Sequence, residues 1–165
     1  MTTRRDFLKT MTMASAGLAL GTGDLLGAPI SVSQRKAAAD KVKIAYVGIG
    51  NRGEQIIGDF ARTGMVEVVA LCDVDMGAPH TQKVMNMYPK AKRFRDFRQM
   101  FDKAGNDFDA VAIATPDHSH FPITMLALAS GKHVYVEKPL ARTFYEAELL
   151  MQAALKRPNL VTQVG

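Results

Sequence analysis

The sequence predicts an α/β fold: a doubly wound parallel sheet of about six strands with helices on both faces. Three observations carry this. Short apolar runs rich in β-branched residues alternate with stretches of helical periodicity. A glycine-rich turn, Gly48-Ile49-Gly50-Asn51-Arg52-Gly53, joins the first such run to the first helical stretch. An acidic residue, Asp73, ends the second run, 20 positions past the last glycine of that turn.

Taken in order, Val42–Val47 is a short run rich in apolar and β-branched residues, with Lys43 near its start, of the kind buried on both faces of a sheet. Residues 51–62 place Ile56, Ile57 and Phe60 at helical spacing, and Gly64 stops the helix. Val66–Cys72 is the second strand. Residues 79–88 read as a helix with Val84, Met87 and Tyr88 inward, and residues 93–94 as a short strand. Asp96 caps a brief helix to Lys103, with Gln99 three residues on in the capping-box position and Gly105 after it. Residues 110–114 are a strand, residues 120–130 a helix ended by Gly131, and His133–Val136 a strand. Thr143 and Glu146 form a capping box that opens a helix to Lys156, with Pro158 beyond it, and residues 160–164 are the last strand. Right-handed crossovers between such units make the sheet parallel.

Composition narrows the function classes. The 165 residues are 47% hydrophobic and 22% charged, which excludes a disordered or fibrous chain. A single cysteine excludes a disulfide framework and a cysteine-based zinc cluster. No apolar run reaches the ~18 residues of a membrane-spanning helix. The net charge of +5 suggests nucleic acid, but its placement argues against that partner. Residues 1–39 hold five basic and two acidic side chains, and the remaining residues hold 16 basic against 14 acidic. The basic cluster Lys90, Lys92, Arg93, Arg95 and Arg98 is interleaved with Asp96 and Asp102, and reads as a solvated face. The ten methionines read as packing rather than as a soft-metal site, so no metal is expected.

The first 39 residues read as an address and linker. Thr3-Arg4-Arg5-Asp6-Phe7-Leu8-Lys9 matches a twin-arginine export signal, and a modestly apolar stretch follows from Met11 to Leu26. Asp24 interrupts that stretch, which suits a signal better than a membrane helix. Ala37-Ala38-Ala39 offers a small-residue cleavage site. The alternative is an ordinary amphipathic N-terminal helix. The export machinery is then a partner, the location is periplasmic or extracytoplasmic, and the folded domain spans residues 40–165. The twin-arginine route carries folded proteins, which suits an enzyme whose cofactor is loaded before export.

The glycine turn reads as a phosphate loop. Gly48 permits a tight turn, Gly50 lets the backbone approach a pyrophosphate, and Gly53 lets helix and strand pack closely. The helix N-terminus offers free N–H groups and a partial positive charge. Asn51 and Arg52 stand at the same end and could touch phosphate directly. The alternative is a plain strand-turn-helix without a ligand. A carboxylate at Asp73 would accept hydrogen bonds from the adenosine ribose hydroxyls and repel a 2′-phosphate, which favours NAD over NADP. Asp73 could instead be a simple loop solvator, and Asp75 competes for the role.

Two segments fall where strand ends line the crevice of such a sheet: Thr115-Pro116-Asp117-His118-Ser119-His120, and Glu137-Lys138-Pro139. With the glycine loop, Asp73, and Gly131-Lys132-His133 leading into Glu137-Lys138-Pro139, they resemble the Gfo/Idh/MocA oxidoreductases. The resemblance runs from about Lys41 to Gly165. It implies a Rossmann domain whose catalytic Lys138 lies beside the nicotinamide and the substrate hydroxyl. Glu137 would contact the nicotinamide side, and Thr115, Pro116, Asp117 and His120 would lie along the cofactor. His120 could equally be a packing or capping residue. Pro139 would follow a cis bond. The family carries a second, substrate-binding domain that supplies specificity and usually the oligomer interface. The 165 residues are therefore expected to be the cofactor part of a longer two-domain protein, homo-oligomeric when complete and inactive as this part alone. Three functions are open: an NAD(P)-dependent oxidoreductase acting on a sugar or sugar derivative, an NAD-dependent glycosidase working by transient oxidation and elimination, or a cofactor-binding module.

Overall fold

The computed structural model describes residues 41–165, so the expected leader, linker and cleavage site lie outside the described residues. Six strands form one parallel sheet in the order β3-β2-β1-β4-β5-β6. They are β1 Val42–Val47, β2 Val66–Cys72, β3 Lys92–Phe94, β4 Ala110–Ile113, β5 His133–Val136 and β6 Thr162–Val164. The helices are α1 Arg52–Arg62, α2 Pro79–Met87, α3 Phe97–Ala104, α4 His120–Ala129 and α5 Phe144–Leu155. Among the described residues no helix is long and apolar enough to cross a membrane.

The alternation of side chains along each strand builds two cores. From β1, Ile44 and Tyr46 join Ile56 and Ile57 of α1 and Val84 and Met85 of α2 on one face. Ala45 and Val47 join Met100 of α3, Ile123 and Leu128 of α4 and Leu150 of α5 on the other. A strand covered on both faces has no polar side to show, which is why β4 and the buried part of β1, from Ile44 to Val47, read as apolar runs, while Lys43 lies at the exposed start of β1. The strand order reverses between β1 and β4. The chain runs outward from β1 to β3, then crosses back to β4, and the diverging loops open a crevice at the carboxyl ends of these two strands.

Four details differ from the expectation. In α2 the inward methionine is Met85, 8% exposed, while Met87 is half exposed. The buried face is Thr81, Val84 and Met85, because the way α2 lies over the sheet selects among near-equivalent windows of a two-turn helix. Asp96 does cap α3, but it accepts from the Arg98 N–H at 2.9 Å, and no capping box with Gln99 forms. The basic cluster is not wholly a solvated face: Lys92 pairs with Asp107, but Arg95 and Arg98 line the crevice. The last strand is only Thr162–Val164, and all three of its residues are exposed, as suits an edge with a single neighbour. The capping box of α5 forms as expected, with the Thr143 hydroxyl accepting from the Glu146 N–H and the Glu146 carboxylate accepting from the Thr143 N–H.

Candidate functional site

The glycine loop leaves β1 at the point of strand reversal and is held in place by backbone contacts. The Gly48 N–H donates to the Cys72 carbonyl at 2.8 Å, and the Ala114 N–H donates to Val47 at 2.8 Å. Gly48 has φ +81°, and a Cβ there would stand 2.6 Å from the Ala114 oxygen. A Cβ on Gly53 would stand 2.0 Å from the Gly48 oxygen. Both contacts are with backbone, so no side chain can yield. Asn51, with φ +48°, is the one non-glycine residue in the left-handed region among those described, and it leaves α1 without a side-chain cap. The N–H groups of Gly50, Asn51 and Arg52 donate no hydrogen bond among the described residues. These are free donors at a helix N-terminus, where the backbone dipole also favours an anion.

The loop borders a cleft of about 630 Å³. Of the sequence-predicted residues, Gly48, Gly50, Asn51, Arg52, Asp73, Thr115 and Pro116 line it. The Thr115 hydroxyl is buried and has no partner among the described residues. Gly53 lies beneath the loop, and Asp117, in the short turn Asp117–Ser119, does not line the cleft. Three predicted residues make contacts that bear on how the site is built. Asp73 accepts from the Ile49 N–H with one carboxylate oxygen and from the Asp75 N–H with the other, both at 2.9 Å, so it shapes the glycine loop while each oxygen keeps a further lone pair. Arg52 turns away from the loop to Glu137, donating from Nε and Nη2 to Oε1 at 2.9 and 2.7 Å. The Arg52 guanidinium and the Glu137 carboxylate, each expected to meet the cofactor, are thus paired with each other. His120 is buried beneath the cleft wall, which is the packing alternative.

Glu137 is 5% exposed and fully engaged. Oε1 also accepts from the Tyr135 hydroxyl at 3.3 Å, and Oε2 accepts from the Lys138 N–H at 3.3 Å. The Arg52 guanidinium holds its carboxyl below the usual range, against an opposing effect of burial. Lys138 itself is exposed on the turn after β5, at the carboxyl edge of the sheet, and the bond to Pro139 is cis. Sequence reading missed His80, Arg95, Phe97 and Arg98 as cleft residues and gave His118, which also lines it, no role. The crevice rule applied to the ends of β2 and β3 points to the first four, since each follows one of those strands. Arg95 donates to the carbonyls of Val74 at 3.2 Å and Met76 at 2.7 Å, bracing the loop after Asp73. Cys72 also borders the cleft, and burial pushes its thiol up to about 12.

A doubly wound sheet with a glycine loop at its switch point, free N–H donors and an unsatisfied hydroxyl defines a dinucleotide-binding domain. The family model described as "Oxidoreductase family, NAD-binding Rossmann fold" matches residues 42–165, and the chain belongs to this Gfo/Idh/MocA family. A glycosyl hydrolase family 109 protein from Shewanella pealeana is 31% identical over 92% of the chain, and an α-N-acetylgalactosaminidase from Shewanella oneidensis is 29% identical over 92%. The chain spans 36% of the length of each. A scyllo-inositol dehydrogenase from Lactobacillus casei, solved with NAD(H) and scyllo-inositol, superposes with a TM-score of 0.66 at 29% identity, over 76% of this chain and 36% of that one.

Proposed function

We propose that the chain is the NAD-binding part of an enzyme that oxidises a carbinol carbon of a sugar or sugar derivative. The observation that carries this is the Arg52–Glu137 bridge: it ties the glycine loop to the residue preceding Lys138, so the nucleotide loop and the lysine belong to one frame. When bound, NAD supplies the hydride acceptor. The free N–H groups of Gly50, Asn51 and Arg52 would hold its pyrophosphate, the remaining lone pairs of Asp73 its ribose hydroxyls, and the Thr115 hydroxyl a polar group of the cofactor. Pro116, which lines the cleft, would flank it. Lys138, on a turn stiffened from the Glu137 side, orients the substrate hydroxyl and takes part in moving its proton. The ring-polyol ligand of the scyllo-inositol dehydrogenase supports a carbohydrate-like substrate.

A second reading is favoured by the relatives, which include an α-N-acetylgalactosaminidase: transient oxidation, elimination of the glycosidic bond and return of the hydride, with no net redox change. The rest of the proposal comes from the sequence. The Arg4-Arg5-Asp6-Phe7-Leu8-Lys9 string supports twin-arginine export, and the relatives' greater length supports a further part of the protein, to which the homo-oligomer contacts are assigned by the family resemblance alone. Calorimetry on the 165-residue chain should detect NAD binding; no affinity for NAD overturns the reading of the site. In a protein carrying the full reading frame, Lys138→Ala should retain NAD and lose turnover. Steady NADH formation supports the first reading, and aglycone release without added NAD supports the second.

A further inference from the structure

We propose that His120 is a positioning residue that couples the cofactor wall of the cleft to the turn bearing Lys138. The coupling rests on the reading of Lys138 as the catalytic lysine. His120 stands at the first position of α4 and is 1% exposed. Its Nδ1 lies 2.6 Å from the carbonyl oxygen of Pro139, and its Nε2 lies 2.8 Å from the carbonyl oxygen of Thr115. Neither carbonyl has another partner among the described residues. One ring therefore sits between the loop after β4, where Thr115 lines the cleft, and the residue directly after Lys138.

Packing alone does not call for a histidine here. Ile123, Ala127 and Leu128 already supply the apolar face of α4, and an aliphatic side chain would fill the volume. What an aliphatic residue lacks is a polar atom on each side of a flat, rigid body, aimed at two carbonyls of different loops. A buried carbonyl without a donor is costly, and the ring can serve both loops: a neutral imidazole donates to one of the two carbonyls at a time, by one tautomer or the other, and an imidazolium donates to both. The turn is then held from both sides. Glu137, before Lys138, is anchored by Arg52, and Pro139, after it, abuts His120. A ligand that orders Thr115 orders the far side of the Lys138 turn through the same ring.

The test is backbone amide exchange on the 165-residue chain with and without NAD, read at Leu140, the first amide beyond Pro139. The Lys138 amide serves as a control, because it reports the separate route through Arg52 and Glu137. In the unmodified chain NAD should slow exchange several-fold in the glycine loop and at Leu140. His120→Leu should bind NAD with little change and slow the glycine loop and the Lys138 amide, but leave Leu140 unprotected. His120→Gln, which stays polar but cannot span both carbonyls, should behave likewise. The proposal is overturned if Leu140 in the unmodified chain ignores NAD while the glycine loop responds, or if either folded variant keeps the Leu140 response. If the glycine loop itself does not respond to NAD, the cofactor reading falls, and the coupling falls with it.

Discussion

Gly53 is where a single methyl group would meet the backbone of Gly48. Its would-be Cβ overlaps the Gly48 oxygen, so Gly53→Ala has to push α1 away from the end of β1. The expected cost is about 1–3 kcal/mol of stability, together with loss of NAD affinity, because the same shift misaligns the N–H groups of the loop. Chemical denaturation and calorimetry on the variant check both. Arg52 and Glu137 make a pH prediction. The folded-state value of Glu137 lies below its ordinary 4.5, so the stabilisation from this pair is complete above 4.5 and is lost as the pH falls through the lowered value. Arg52→Met should be less stable than the unmodified chain at neutral pH. Its stability should also fall less on acidification through that window. Parallel acid limbs in urea titrations would show that the pair contributes nothing.

Elements follow local rules closely here, with limits that can be named. The α5 capping box was legible because Thr143 and Glu146 are three residues apart and both partners lie in the same turn. Thr143→Ala should cost about 1 kcal/mol, measured as a shift in denaturation midpoint at unchanged slope. The buried face of α2 was less legible. A nine-residue helix offers several windows of similar apolar content, and its placement over the sheet made Met85 rather than Met87 the core residue. Asp96 was correctly read as a cap, while its choice of the Arg98 N–H over a reciprocal box with Gln99 is a matter of loop geometry after β3.

At the scale of the whole molecule, the reversal of strand order between β1 and β4 puts the glycine loop, Asp73 and Thr115 around one cleft. NAD binding to this folded cleft should stabilise the chain by about 2.7 kcal/mol at a free concentration about 100 times Kd, seen as a rise in Tm that grows with NAD concentration. An unchanged Tm at saturating NAD would contradict the site.

The sequence by itself determined the alternation of strands and helices, the phosphate loop and the carboxylate after β2, because each depends on spacing within one strand-turn-helix unit. The tertiary structure decided how those units share their polar groups. Arg52 meets Glu137 across 85 positions, His120 abuts both Thr115 and Pro139, and Arg95 and Arg98 border the cleft rather than solvent alone. The physical reason is that strand order, not chain order, sets which loops are neighbours. A guanidinium or imidazole has no preference for a partner near in sequence. It bonds to the acceptor that the assembled sheet brings within reach.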